Sequence, residues 1–395
     1  MRRERLLLIT LGAINFTHIV DFMIMMPLGP QLMRLFAISP QQFSALVSTY
    51  TFSAGTASFV AAFLLDRFDR KRALITAFVG FIIGTFACAL APNYHLLLSA
   101  RVITGAFGGI LSALILSIVG DVIPQERRAT AMGIVMAAFS VASVFGVPFG
   151  LYIATRFSWH APFTFLGCLG LILFVPIVMA VPSMREHLAS DRQHPGPVAV
   201  LTSVAKNGNQ LSALWFTVML VLGHFIIIPF ISPFMVANVG FRETDLTYIY
   251  LLGGFVTVFT SPLIGRVADR VGKAQVFTAF ALLALVPVFL ITNLHQTALP
   301  VALAITTVFF VTSNGRWVPA VAMVTSAVSP QNRGSFLSIN SAAQQLSAGV
   351  AAAFGGMIVA KDASGALLNY HYVGYIAIAI SLLAILVGRR LHAVA

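Results

Sequence analysis

The chain reads as a series of long apolar stretches separated by short polar breaks. A helix needs about 20 apolar residues to cross the hydrocarbon core of a bilayer. Twelve stretches meet that length, at 6–30, 43–65, 73–91, 96–120, 129–152, 161–182, 210–234, 245–265, 275–293, 299–327, 335–359 and 371–388. The first follows Arg2, Arg3 and Arg5, as a signal peptide would, but it is too long, contains Asp21 and lacks a small-residue cleavage site, so it is kept as a span. The longest polar connection, 183–209, carries Arg185, Glu186, Asp191, Arg192, Pro195 and Pro197 and is expected to be a loop. It divides the chain into a first six-helix bundle, 1–182, and a second, 210–395. The expected fold class is an all-α membrane protein of twelve transmembrane helices in two pseudo-symmetric bundles.

Composition agrees with the pattern. Of 395 residues, 58% are hydrophobic and 9% charged, whereas a soluble domain carries about 25% charged residues. Soluble enzymes, secreted domains and disordered tails are excluded. The net charge of +12 points to loops facing a cytoplasm rather than to nucleic acid. With the first residue inside, 18 cations fall on the cytoplasmic side and four (Arg34, Arg156, Arg242, Lys361) on the other; Arg101 and Arg316 lie within spans. Both termini are therefore expected inside. Cys88 and Cys168 lie in apolar stretches and read as small buried hydrophobes.

The two halves echo each other. Asp66 and Asp269 are 203 residues apart, each closing a span within a charged loop, and the same offset relates Pro30 to Pro233 and Asp21 to His224. Pro124-Gln125 matches Pro330-Gln331 at an offset of 206. A repeat of about half the chain is a mark of transporters built from two related bundles.

Particular residues carry a family resemblance. The loop from Asp66 through Arg67 and Arg70 to Arg72, its second copy Gly265, Asp269, Arg270 and Gly272, the run Arg101 to Gly108, and Gly146-Val147-Pro148-Phe149-Gly150 resemble motifs of the major facilitator superfamily. The Gly-x-Pro-x-Gly form is similar to the sugar-efflux, arabinose-efflux-like branch of the drug:proton antiporters. Ala62 and Asp69 replace glycines of the loop motif, and Val147 and Leu151 depart from the exporter motif. The resemblance implies alternating access through a cavity between the halves. It also implies a latch between opposite halves, assigned to Asp66, Arg67, Arg70, Asp269 and Arg270; the alternative for the arginines is topology alone. It implies a monomer, and the short loops, with Asn15-Phe16-Thr17 inside a span as the one glycosylation match, fit a bacterial inner membrane with lipids around the chain.

Of the twelve acids, only Asp21 falls well inside a span. A buried carboxylate is expensive, and one reached by water from alternating sides can load and release a proton. The alternative is a structural carboxylate paired with a neighbouring helix. Asn15, His18, Phe22 and Met25 form one helical face with Asp21 at its edge; His18 either shares the Asp21 proton or is a bystander. Arg101 and Arg316 cannot give up their charge. The family pattern implies that Arg101 lies near Asp21. Arg316, flanked by Asn314 and Trp317, has no acid in its span and either holds a substrate carboxylate or phosphate or snorkels to the interface. His224, Asn314, Asn340 and Gln344 are further candidates for the substrate, or for bonds between helices. Gly146, Pro148 and Gly150, with Gly80/Gly84 and Gly105/Gly109, predict close helix approach.

No nucleotide loop, metal-ligand cluster or catalytic constellation stands out, so no cofactor and no enzymatic role are expected. The expected function is proton-coupled efflux of a small organic molecule by a secondary transporter. The alternative is a uniporter or a carrier of lipid-like or anionic amphiphiles.

Overall fold

The structure is a computed structural model that describes residues 2–64, 68–184, 197–329 and 333–394. Asp66 and Arg67, the 185–196 part of the expected linker, and Pro330-Gln331 lie outside the described residues.

The first half contains α1 (Arg2–Ile24), α2 (Gly29–Leu35), α3 (Pro40–Leu64), α4 (Arg70–Ala89), α5 (Tyr94–Val122), α6 (Gln125–Val141), α7 (Val147–Arg156) and α8 (Ala161–Ala180). The second contains α9 (Pro197–Lys206), α10 (Gly208–Phe225), α11 (Ile228–Phe234), α12 (Leu246–Val271), α13 (Lys273–Thr292), α14 (Leu299–Ser326), α15 (Arg333–Ile358) and α16 (Tyr370–Gly388). Among the described residues, ten segments are long and apolar enough to cross a membrane. The expected spans at 43–65 and 335–359 are helices of 25 and 26 residues, α3 and α15, but fall outside those ten. Exposed Leu171, Ile172, Val175 and Met179 along α8 stand where a water-soluble helix would carry charge.

Two expectations are corrected. The 183–209 connection is not all loop: Pro197 opens the ten-residue helix α9, in the first-turn position where its missing N–H costs nothing. Cys168 is exposed on an apolar helix, whereas Cys88 is buried as expected. A two-residue antiparallel ladder, β1 (Ala360–Lys361) with β2 (Leu367–Leu368), was also not expected from the pattern.

Packing divides the chain into two compact units, one of 1–25 with 49–196 and one of 26–48 with 197–395. In the first unit, Leu11, Ile14, Phe78, Phe81, Leu111, Leu114 and Ile118 form a continuous buried core between α1, α4 and α5. Small residues set its helix spacings. A Cβ at Gly109 would meet the Ala54 backbone, and one at Gly84 would lie 2.9 Å from the Thr104 nitrogen. Gly146 and Gly150 lie against Val20 and Ile24 of α1. The span expected at 129–152 is α6, a π-helical turn at Ala142–Gly146, and α7 with Pro148 in its first turn. The π turn absorbs the backbone that the proline cannot bond.

In the second unit, the segment 26–48 packs with the C-terminal half. A Cβ at Gly29 would lie 2.8 Å from both Phe43 and Pro233, and Phe43 meets Phe230 edge-on at 6.5 Å. Arg34 forms an ion pair with Glu243.

The first span of each half is interrupted. Residues 25–28 form a turn between α1 and α2, and α10 ends at Phe225 before α11 begins at Ile228. Pro30 and Pro229 each occupy the second position of the continuing helix. The structural counterpart of Pro30 is thus Pro229; Pro233, its match in the sequence repeat, lies inside α11. Each interruption follows closely on a polar residue, three positions after Asp21 and one after His224.

Candidate functional site

In the first unit, α1 places Asp21 and α5 places Arg101 side by side, both with fully buried side chains. Arg101 Nη1 donates to Asp21 Oδ2 at 2.7 Å and to the Asp21 carbonyl at 3.2 Å. Thr85 Oγ1 of α4 donates a longer bond, 3.4 Å, to Oδ1. The guanidinium lies 4.2 Å above the Tyr50 ring of α3, a cation–π contact that grows stronger where water is excluded. Phe22 stacks on Tyr50 with ring centroids 5.2 Å apart. Arg101 Nε and Nη2 and the Tyr50 hydroxyl have no hydrogen-bond partner. The pair is therefore held by one short charged bond, the longer bonds to the Asp21 carbonyl and from Thr85, and one ring face. The low local dielectric makes the charges depend strongly on each other.

His18 does not join this pair. Its Nε2 lies 2.9 Å from Asn15 Oδ1 and 3.2 Å from Ser112 Oγ. Asn15 Nδ2 in turn donates to the Val135 carbonyl at 3.0 Å. The expected sharing of the Asp21 proton with His18 is thus replaced by a separate network one turn away. Met25 is buried in the turn that follows α1.

The second unit repeats the arrangement with one difference. α10 supplies His224 where α1 supplies Asp21, and α14 supplies Arg316. Arg316 Nη2 lies 3.2 Å from His224 Nδ1, and Nη1 donates to Ser381 Oγ at 3.1 Å. Arg316 is 2% exposed, so the snorkelling alternative is wrong: the guanidinium points into the unit and is held there by α10 and α16. An imidazole nitrogen that accepts from an arginine is unprotonated, and the ring is then neutral. No carboxylate pairs with Arg316 among the described residues; Arg34, Arg70, Arg101, Arg127 and Arg242 each have one. His224 stacks with Phe309 at 6.0 Å and approaches Trp317 at 6.3 Å. Asn314 and Gln344 are half-buried and form no hydrogen bond with Arg316. Asn340 is buried, with Oδ1 unpartnered.

Of the loop-motif residues, Arg70 pairs at 3.1 Å with Asp121 at the end of α5. Asp69, which replaces a glycine of the motif, caps α4 through the Lys71 nitrogen and accepts from Ser183 Oγ at 2.6 Å. Its carboxylate ties α4 to the end of α8. Asp269 and Arg270 form no ion pair among the described residues. An apolar groove of about 750 Å³ along α3 and α5, lined by Thr49, Phe52, Thr56 and Val102 among others, contains none of the expected site residues.

Tyr50, Thr85, Ser112 and Ser381 are the site residues that sequence reasoning missed. Ser381 had a signal, as the one hydroxyl in the middle of an aliphatic last span. Tyr50 and Thr85 had none that sets them apart from other polar residues of their helices.

The Major Facilitator Superfamily profile matches residues 11–305 and 213–393. Among curated proteins, the chain is 24% identical to YceJ, an MFS-type transporter of Bacillus subtilis, over 88% of this chain and 87% of that one. It is 27% identical to YtbD, another MFS-type transporter of that organism, over 61% of this chain, and spans 59% of YtbD. It is 25% identical to a probable sugar efflux transporter of Mannheimia succiniciproducens over 56% of this chain and 54% of that one. Among solved structures, a bacterial homolog of the human lysosomal transporter Spinster in an inward-facing conformation superposes with a TM-score of 0.75 at 16% identity, covering 98% of this chain and 97% of the other. A D-xylose–proton symporter superposes with the same score at 17% identity, covering 96% of each.

Proposed function

The chain belongs to the Major Facilitator Superfamily of membrane transporters, and we propose that it is a secondary active transporter that exports a small organic molecule in exchange for protons by alternating access. The observation that carries the proposal is the buried Asp21–Arg101 pair. Among the described residues Asp21 is the acid with no solvent exposure at all, and its charge is balanced by one fixed cation. Adding a proton to Asp21 removes half of that balance and leaves Arg101 with a ring face and a backbone carbonyl. A step that neutralises one partner of a buried pair changes local energy by about 3–5 kcal/mol, enough to bias a conformational equilibrium. The break in α1 three residues beyond Asp21 gives the span a point at which such a bias can act, as discontinuous helices do in other transporters. The resemblance to a probable sugar efflux transporter supports the outward direction.

Under this reading the halves 1–182 and 210–395 are the two moving bodies and 183–209 joins them. The protein is a monomer in the inner membrane with both ends in the cytoplasm, in contact with lipids. It has no cofactor, and the ion gradient supplies the energy. Asn15, Phe22, Met25, Asn314, Asn340 and Gln344 are proposed to face the solute, and Asp269 and Arg270 to act in the latch.

One observation favours a second reading. Asp21 is fully buried against a partner that never loses its charge, the arrangement of a permanent structural pair; the protein would then be a uniporter. Proteoliposomes loaded with a pH-sensitive dye separate the two. A pulse of D-xylose, benzoate or tetraphenylphosphonium that is transported should move protons in the opposite direction, and the Asp21→Asn protein should not. Solute flux with no proton movement in the unaltered protein selects the uniporter.

A further inference from the structure

The two units contain the same device with one charge missing. In the first, Arg101 of α5 meets a carboxylate from α1. In the second, Arg316 of α14 meets His224 of α10, at the repeat position of Asp21, and the neutral ring leaves the guanidinium uncompensated. A buried cation without a counter-charge is costly, and its cost is recovered when an anion arrives. Two observations add to the charge. Arg316 spends its two bonds on Ser381 and His224 out of a five-donor fork. Ser313, one turn earlier on the same face of α14, is buried with its hydroxyl unpartnered.

The geometry points to a binding site for an organic monocarboxylate formed by Arg316, Ser313, Ser381 and His224. A single fixed cation with neutral donors balances one negative charge; a dianionic phosphate would leave one charge in excess. The aromatic cluster of His224, Phe309 and Trp317 beside the guanidinium suits an apolar or aromatic body attached to the carboxylate. The inference rests on the transporter reading and names the class of its solute. His224→Asp is its internal copy of the first unit: the variant supplies the counter-charge from α10 and closes the site to a second anion.

The test is thermal unfolding of the purified full-length protein in detergent, with sodium benzoate, sodium acetate, inorganic phosphate and uncharged benzamide at matched ionic strength. Benzoate at ten times its dissociation constant should raise the midpoint by about 2 °C or more, acetate and the partly monoanionic phosphate less, and benzamide not at all. The benzoate shift should vanish in Arg316→Ala and in His224→Asp, the latter unfolding no lower than the unaltered protein without ligand, and should persist in Arg34→Gln, which removes an exposed arginine. If Arg316→Ala does not fold, His224→Asp decides alone. No shift with benzoate up to 20 mM (roughly the weak limit of a useful site), an equal shift with benzamide, or a shift that survives His224→Asp overturns the site. A benzoate shift without proton movement in the liposome assay would sink proton coupling and leave this site standing.

Discussion

Asp21 Oδ2 and Arg101 Nη1 lie 2.7 Å apart with neither side chain reached by solvent. Two charges so placed are worth more to each other than to the fold. The attraction offsets a desolvation cost of several kcal/mol per ion, so the pair adds little net stability, while loss of one member leaves the other stranded.

That asymmetry gives the first prediction. Arg101→Gln or Asp21→Asn alone should destabilise the purified protein by about 3–5 kcal/mol, read as a lower unfolding midpoint. The double variant should recover at least half of the loss. Equal, additive losses would show that the two residues do not act as a pair.

Helix spacing gives the second. Gly109 faces the Ala54 backbone, with the Ala54 carbonyl carbon 2.8 Å from where a Cβ would stand, whereas Gly133 has open space. Gly109→Ala should cost about 1–3 kcal/mol through forced separation of α3 and α5. Gly133→Ala should be neutral or slightly stabilising, since alanine favours a helix by about 1 kcal/mol over glycine. The same thermal measurement decides both.

The interruption between α10 and α11 gives the third. Tyr370 Oη donates to the Ile227 carbonyl at 3.0 Å, at the break itself. Tyr370→Phe removes that bond but keeps the ring packed on Phe234, and should cost about 1–2 kcal/mol. Amide hydrogen exchange should rise locally around 226–231, and not across α12.

The ion pair between Arg34 and Glu243 gives the fourth, a small effect by design. Its side chains are 64% and 20% exposed, and exposed pairs are worth about 0–1 kcal/mol. Glu243→Gln should shift the unfolding midpoint by less than about 2 °C at low salt, with the shift erased near 1 M salt, where the Debye length falls to about 3 Å.

The sequence made most of the fold legible because apolar length has one physical meaning in a bilayer. The helices at 40–64, 94–122 and 370–388 lie within a few residues of the stretches that announce them. The interruptions near Pro27 and Pro229 were less legible: a run such as 6–30 is long enough to read as one span, and only the packing decides whether the chain bends, breaks or continues past a proline. Among the site residues, the Asp21–Arg101 contact was expected from a family pattern, and composition alone would not have placed two residues 80 positions apart within one bond. The Arg316–His224 contact followed from no motif. Its parts were visible singly, as an arginine without an acid and a histidine in register with Asp21, but their meeting depends on how α10 and α14 pack. His18 misled for the opposite reason: a spacing of three on a helix permits a contact with Asp21, and the nearer amide of Asn15 took it.

Proton coupling through Asp21 is most directly tested by comparing uphill and exchange transport in one preparation. Proteoliposomes are given a pH gradient and the labelled solute that moves protons in the dye assay. The unaltered protein should concentrate the solute against its gradient, and a protonophore should collapse the accumulation. The Asp21→Asn protein should still exchange labelled for unlabelled solute but reach no more than equal concentrations on the two sides, with its rate independent of pH. An Asp21→Asn protein that concentrates the solute as the unaltered one does, with the same dependence on pH, would contradict the account.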